Sequence, residues 1–107
     1  MNKEEKNRVA NELADKLRKK LDNTFGDCCN VEVEEITDML TRVIVSEKHH
    51  GITFSVSDSI REITDAYEKK YDTGVTTSYL DTRPYYASSI DEWLTELIVV
   101  VSVWCRK

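Results

Sequence analysis

SSIDEWLTELIVVVSVWCRK, residues 88–107, is the most apolar run of a 107-residue chain, and its assignment as helix or strand decides the fold. Apolar side chains at Ile90, Trp93, Leu94, Leu97, Ile98, Val101, Trp104 and Cys105 follow the i, i+3, i+4, i+7 recurrence of a helix buried along one stripe. Ser89 followed by Glu92 supplies a capping box at its start. The competing assignment makes residues 97–104 a β-strand, because Val and Ile dominate them. That assignment requires a helix-to-strand reversal near Glu96, and no Gly, Pro, Asn or Asp follows Asp91 to make one. The pattern therefore predicts a helix over 89–106.

Three more helices are expected upstream. Val9, Ala10, Leu13, Ala14, Leu17 and Leu21 recur at helical spacing over 3–24, with acidic residues early and basic ones late, and Gly26 follows as a stop. Val33, Ile36, Leu40, Val43 and Ile44 suggest a helix over 31–49, capped by Asn30 and ended by Gly51. Ile60, Ile63, Tyr67 and Tyr71 suggest another over 57–72, ended by Gly74. Each of the three glycines is then expected to fill a position that needs positive φ. Residues 75–87, VTTSYLDTRPYYA, read as a long irregular connector in which Pro84 blocks a helix and Tyr79, Tyr85 and Tyr86 gather. The expectation is a single all-α domain over 1–107, a four-helix bundle-like fold; the alternative is an α+β fold with a small sheet from 42–46, 52–56 and 97–104.

Composition narrows the function classes. Charged residues make up 33% and hydrophobic ones 40%, an ordinary globular balance for one domain. A net charge of −5 is the wrong sign for binding nucleic acid chiefly through phosphates. The charged start, MNKEEKNR, lacks the apolar region of a signal peptide, and residues 97–104 are too few to span a bilayer as a helix. Three cysteines without scaffold spacing fit reduced thiols, so a cytoplasmic location is expected. No internal repeat is visible in the sequence.

Carboxylates are the main catalytic candidates. Glu34-Glu35-Ile36-Thr37-Asp38 and Glu62-Ile63-Thr64-Asp65 each place acids at helical spacing. The pair resembles the EExxE and ExxD motifs of the all-α MazG-like nucleotide pyrophosphohydrolases. That resemblance implies Mg²⁺ held by Glu34, Glu35, Asp38, Glu62 and Asp65 against a nucleotide triphosphate. It covers only residues 34–65, and Asp38 stands where the family has Glu. On ideal helices Glu35 and Asp38 would lie about 130° or more from their apolar stripe, pointing away from a shared core. A solvated acidic face is thus the expectation, with no metal and no cofactor. Cys28-Cys29 and His49-His50 offer zinc ligands at poor spacing, since adjacent residues seldom both reach one tetrahedral ion. Residues 57–83 also read as a helix-turn-helix, but Arg83 is the only basic residue in its second half and Pro84 cuts it short.

The favoured function is non-catalytic: a small acidic binding or regulatory protein, such as an inhibitor of the phage or mobile-element type, that occupies a protein partner. Its expected contact surface is Tyr79, Arg83, Tyr85 and Tyr86, with Glu35, Asp38, Glu62 and Asp65 beside it. Val99, Val100 and Val103, flanking the stripe of the last helix, are the expected interface of a homo-oligomer. The alternatives are the Mg²⁺-dependent pyrophosphohydrolase and a helix-turn-helix DNA-binding protein.

Overall fold

The structure, a computed structural model, describes residues 1–26, 29–47, 53–87 and 92–105, with side chains at all of these but 47, 53–55, 80–87 and 92–97. Two helices and four strands follow one another as α1 (Lys3–Phe25), β1 (Cys29–Thr37), β2 (Leu40–Glu47), α2 (Thr53–Tyr71), β3 (Val75–Ala87) and β4 (Glu92–Trp104), with one 3₁₀ turn (Asp72–Gly74) between α2 and β3. The strands form one antiparallel sheet in the order β1-β2-β4-β3. The fold is therefore α+β, and the expected all-α bundle is overturned.

Two of the four expected helices are present. α1 matches the stripe read over 3–24: Val9, Ala10, Leu13, Ala14, Leu17 and Leu21 are all buried. Asn2 caps it by accepting from the Glu5 N–H at 2.8 Å. Gly26 ends it at φ 70°, a conformation open to glycine at no steric cost. α2 contains the stripe read over 57–72 and begins earlier, at Thr53; Val56, Ile60, Thr64 and Tyr67 are its buried positions. Gly74 departs from the expectation, because positive φ at this turn falls on Asp72 instead. A Cβ at Gly74 would lie 3.0 Å from the end of the Met1 side chain, which would have to shift slightly to admit it. The role expected of Gly51 lies outside the described residues.

The expected helix over 31–49 is a hairpin. Val31-Glu32-Val33-Glu34 alternates with period two, and the burial follows: both valines are half-buried and both glutamates exposed. The turn is Asp38-Met39, where the Thr37 hydroxyl accepts from the Met39 N–H at 3.1 Å. The expected helix over 89–106 is β4, where Val99, Val101 and Val103 are fully buried while Ile98, Val100 and Ser102 are half-exposed. No reversal near Glu96 is needed, because the strand already runs from Glu92. The α+β alternative located strands in 42–46 and 97–104, but its third, 52–56, belongs largely to α2.

The chain is built as two units with the same order of helix, strand and strand. β2 and β4 meet at the centre, Val43 opposite Val101 and Val45 opposite Val99. α1 lies over β1 and β2, and α2 over β3. Both helices cover the sheet face that carries Val43, Val45, Val75, Val99, Val101 and Val103, which together with the helix stripes forms the core. Among the described residues, no helix is long and apolar enough to cross a membrane.

Candidate interaction surface

The two units differ in their hairpins. β1 and β2 have 9 and 8 residues, whereas β3 and β4 have 13 each. Among the described residues, β2 pairs with β4 as far as Glu47 opposite Leu97, while β3 and β4 continue through Arg83 opposite Glu96 to Ala87 opposite Glu92. Five residue pairs thus stand beyond the sheet as a two-stranded arm roughly 17 Å long at about 3.3 Å per residue. The molecule measures 50 × 25 × 18 Å in consequence. The register shifts between Leu80 and Arg83, where Asp81 and Thr82 together face Leu97. Such a bulge bends and twists a strand, and this one sits at the root of the arm.

In the body, helix side chains occupy both sheet edges. Arg18 donates to the Val31 carbonyl of β1 at 3.0 Å, and Lys6 Nζ donates to the Thr37 carbonyl at 3.0 Å. On the opposite edge the Thr77 N–H of β3 donates to Glu68 Oε1 at 2.8 Å. Occupied edges resist pairing with foreign strands. Among the described residues, nothing pairs with 92–96 on the side where β2 has ended.

The second surface is the sheet face opposite the helices. Along its centre Ile44 pairs with Val100, and Ile98 follows, all three half-buried; at one end Leu40 pairs with Trp104. Glu32 and Glu34 of β1, Arg42 of β2, and Thr76 and Ser78 of β3 are exposed around them. Trp104 Nε1 donates to the Thr76 hydroxyl at 3.3 Å, tying β4 to β3 across this face. Among the described residues, no element lies over it.

The residues singled out in the sequence are dispersed. Arg83, Tyr85 and Tyr86 belong to the arm, so the presumed irregular connector is a strand. Tyr79 lies in the body, 37% exposed, with the Arg61 guanidinium 5.1 Å from its ring centre. Glu35 and Asp38 belong to β1 and its turn, at the other edge of the sheet from β3, roughly 14 Å away across three strand spacings. Lys3 Nζ binds both, at 3.9 Å and 3.0 Å, and Asn7 donates to Glu35 at 3.0 Å. The Lys3 ammonium holds the Asp38 carboxyl below its ordinary value, chiefly through their hydrogen bond. Glu62 pairs with Lys20 at 3.3 Å, and Asp65 is exposed on α2. The acidic groups therefore do not flank the tyrosines as one surface.

The Mg²⁺ arrangement fails on the same geometry. The helical pair that the pyrophosphohydrolase resemblance implies is absent, because residues 34–38 are strand and turn. Adjacent Glu34 and Glu35 project to opposite faces of β1. Among the described residues, no three His, Cys, Asp or Glu side chains converge as a metal site. The Cys28, His49 and His50 zinc candidates lie outside the described residues, and Cys29 is half-buried in β1. Residues 75–87 are strand, which removes the second helix of the helix-turn-helix. Val99 and Val103 are buried in the chain's own core, which leaves Val100 alone of the three facing the uncovered side.

A polar clasp unrecognised in the sequence joins α1 to α2. The Tyr67 hydroxyl donates to Glu12 Oε1 at 2.8 Å, while Arg8 and Lys16 lie 3.1 Å and 3.5 Å from the same carboxylate. Lys16 also stands over the Tyr67 ring at 5.1 Å, and Tyr67 stacks on Tyr71 with centroids 6.0 Å apart. Glu12, Lys16 and Tyr67, with Ala66 and Lys70, line a shallow surface hollow. Every charge in it has a partner within the clasp or stands in solvent, which suits fastening two helices. The signal in the sequence was Glu12 and Lys16 at i, i+4, which says nothing of a tyrosine 55 residues away.

The clasp has a pH signature. The Tyr67 hydroxyl, first, and then the nearby cations hold the Glu12 carboxyl below its ordinary 4.5. A carboxyl lowered in the folded state contributes stability above its unfolded value and loses it as pH falls through the folded one. Denaturant midpoints measured from about pH 5 down to about pH 3 should fall more steeply for the wild type than for Glu12→Gln or Tyr67→Phe. The carboxylate is 37% exposed, so solvent screening keeps the difference below about 1 kcal/mol.

Comparison with family models, curated proteins and solved structures finds no match to this chain.

Proposed function

We infer that this chain is a non-catalytic binding or regulatory protein that acts by occupying a protein partner through the β3–β4 arm. The carrying observation is the arm itself: of two units with the same element order, one extends its hairpin five residue pairs past the sheet. A two-stranded hairpin is marginally stable in water on its own, and a third strand or a packed face is what usually secures it. A partner segment laid along 92–96 would supply that third strand in line with β2. Main-chain hydrogen bonding of this kind gives affinity, while alternate side chains give specificity. On the β3 side Pro84 has no N–H to offer, which directs strand addition to the β4 side. A net charge of −5 favours a basic partner surface.

Replacing residues 81–97 by Asn-Gly, a two-residue hairpin turn, tests this. The shortened chain is expected to keep its circular dichroism and cooperative unfolding, because the core residues lie outside the deletion. It should lose capture of the partner retained by the full chain from lysate of the source cells. Equal recovery by both forms would refute the arm as contact element.

A further inference from the structure

We propose that the uncovered sheet face is the interface of a homodimer, in which two copies stack sheet on sheet about a two-fold axis parallel to the strands. The surface is separate from the arm, and the proposal stands on different observations.

The order β1-β2-β4-β3 has the apolar strands at its centre and polar ones at its edges. On the uncovered face the cross-strand rows read Glu32, Ile44, Val100, Ser78 and Glu34, Arg42, Ser102, Thr76. A two-fold parallel to the strands, between β2 and β4, lays β2 of one copy over β4 of the other and β1 over β3. Ile44 then meets Val100 of the second copy, twice. Glu32 and Glu34 meet the hydroxyl-bearing Ser78 and Thr76, and Arg42 meets Ser102. In these two rows Ile44 meets Val100 and no glutamate is opposed by another, while in the next row Ile98 meets Ser46. A two-fold lying across the strands would instead set β1 on β1 and crowd the four glutamates together, which costs energy in a desolvated contact.

Size agrees with this occupant. Four strands about 4.8 Å apart and eight residues of about 3.4 Å each give a face of roughly 500 Å² per copy, about 1,000 Å² for the pair. That reaches the lower bound for a specific protein interface. Sheets that pack in this way lie about 10 Å apart with their strands within about 30° of parallel, a spacing that Ile44, Val100, Ser78 and Ser102 suit at the centre of the face, with Leu40 and Trp104 at one end. The axis keeps strand direction, so both arms project from the same end of the dimer.

Sedimentation velocity and light scattering across micromolar concentrations test the state. The full chain is expected at twice its 12.4 kDa mass, with dissociation on dilution. Val100→Asp should be monomeric at every concentration while retaining circular dichroism and cooperative unfolding, because the position is half-exposed in the monomer. Ile44→Lys should likewise be monomeric. Mixing the two variants should restore a dimer, since the axis sets position 44 of one copy against position 100 of the other. A monomeric wild type, or a Val100→Asp variant that still dimerises, would overturn the interface. Failure of the mixture to associate, with both variants folded, would overturn the axis.

Discussion

Val101→Asp should prevent folding, whereas Val100→Asp, one residue earlier, should leave a folded chain. Val101 is fully buried, paired with Val43 of β2 on one side and Thr77 of β3 on the other, beneath the helices. A carboxylate placed there has no cation to pair with across the sheet, since its neighbours are valine and threonine. The effective cost of burying an unpaired charge is several kcal/mol, and a domain of this size has about 5–15 kcal/mol in total. Val100 points to the uncovered face, beside Ile44 and Ser78, where a charge remains in contact with water in the monomer. Urea titrations followed by far-ultraviolet circular dichroism separate the two outcomes. Equal destabilisation by both substitutions would mean that β4 is covered on both sides within one chain.

That contrast also marks what the sequence concealed. On a helix, positions 98, 101 and 104–105 share one stripe with 97, and the apolar content of residues 97–104 satisfies that template as well as it satisfies a strand. β4 carries Ile98 and Val100 on its uncovered face as well as Val99, Val101 and Val103 on the covered one, so the alternation expected of a strand covered on one side is masked. The difference between the two assignments lies in the turns. A helix before residue 97 requires a reversal near Glu96, and a strand running from Glu92 removes that requirement. β1 was legible: Val31-Glu32-Val33-Glu34 alternates strictly, and its reading was lost to acids placed as if in a first helical turn. The Asp38-Met39 turn carries Asp38 but neither Gly nor Asn, a weak punctuation for a hairpin. The helices are readable because each carries a 3.6-residue apolar stripe, joined in α1 by the Asn2 cap and the Gly26 stop. Arg83, Tyr85 and Tyr86 mark the arm as a segment in the sequence. Its form is not marked there, because that depends on where β2 stops pairing with β4, a long-range register that composition does not encode.

The largest loss of stability from removing apolar volume is expected at α1, where Leu17→Ala should cost about 2–5 kcal/mol and lower the melting temperature by roughly 10–30 °C. Leu17 is fully buried at the centre of the stripe that faces the sheet, within the same cluster as Val43, Val45 and Val99. Its truncation removes methylene burial and leaves a cavity that close-packed neighbours cannot collapse to fill. Lys6, a charged residue buried among the apolar stripe of α1, provides the control. Its ammonium reaches the Thr37 carbonyl at 3.0 Å and lowers the nearby Asp38 carboxyl, after the larger effect of Lys3. Lys6→Met keeps most of the stem and its packing but gives up one charge-assisted hydrogen bond, while also sparing the desolvation of an ammonium. These effects oppose one another, so the substitution should change stability by no more than about 1.5 kcal/mol in either direction. Differential scanning calorimetry of both variants orders them: a Lys6→Met loss as large as that of Leu17→Ala would mean that the bond to β1, rather than apolar docking, holds α1 on the sheet.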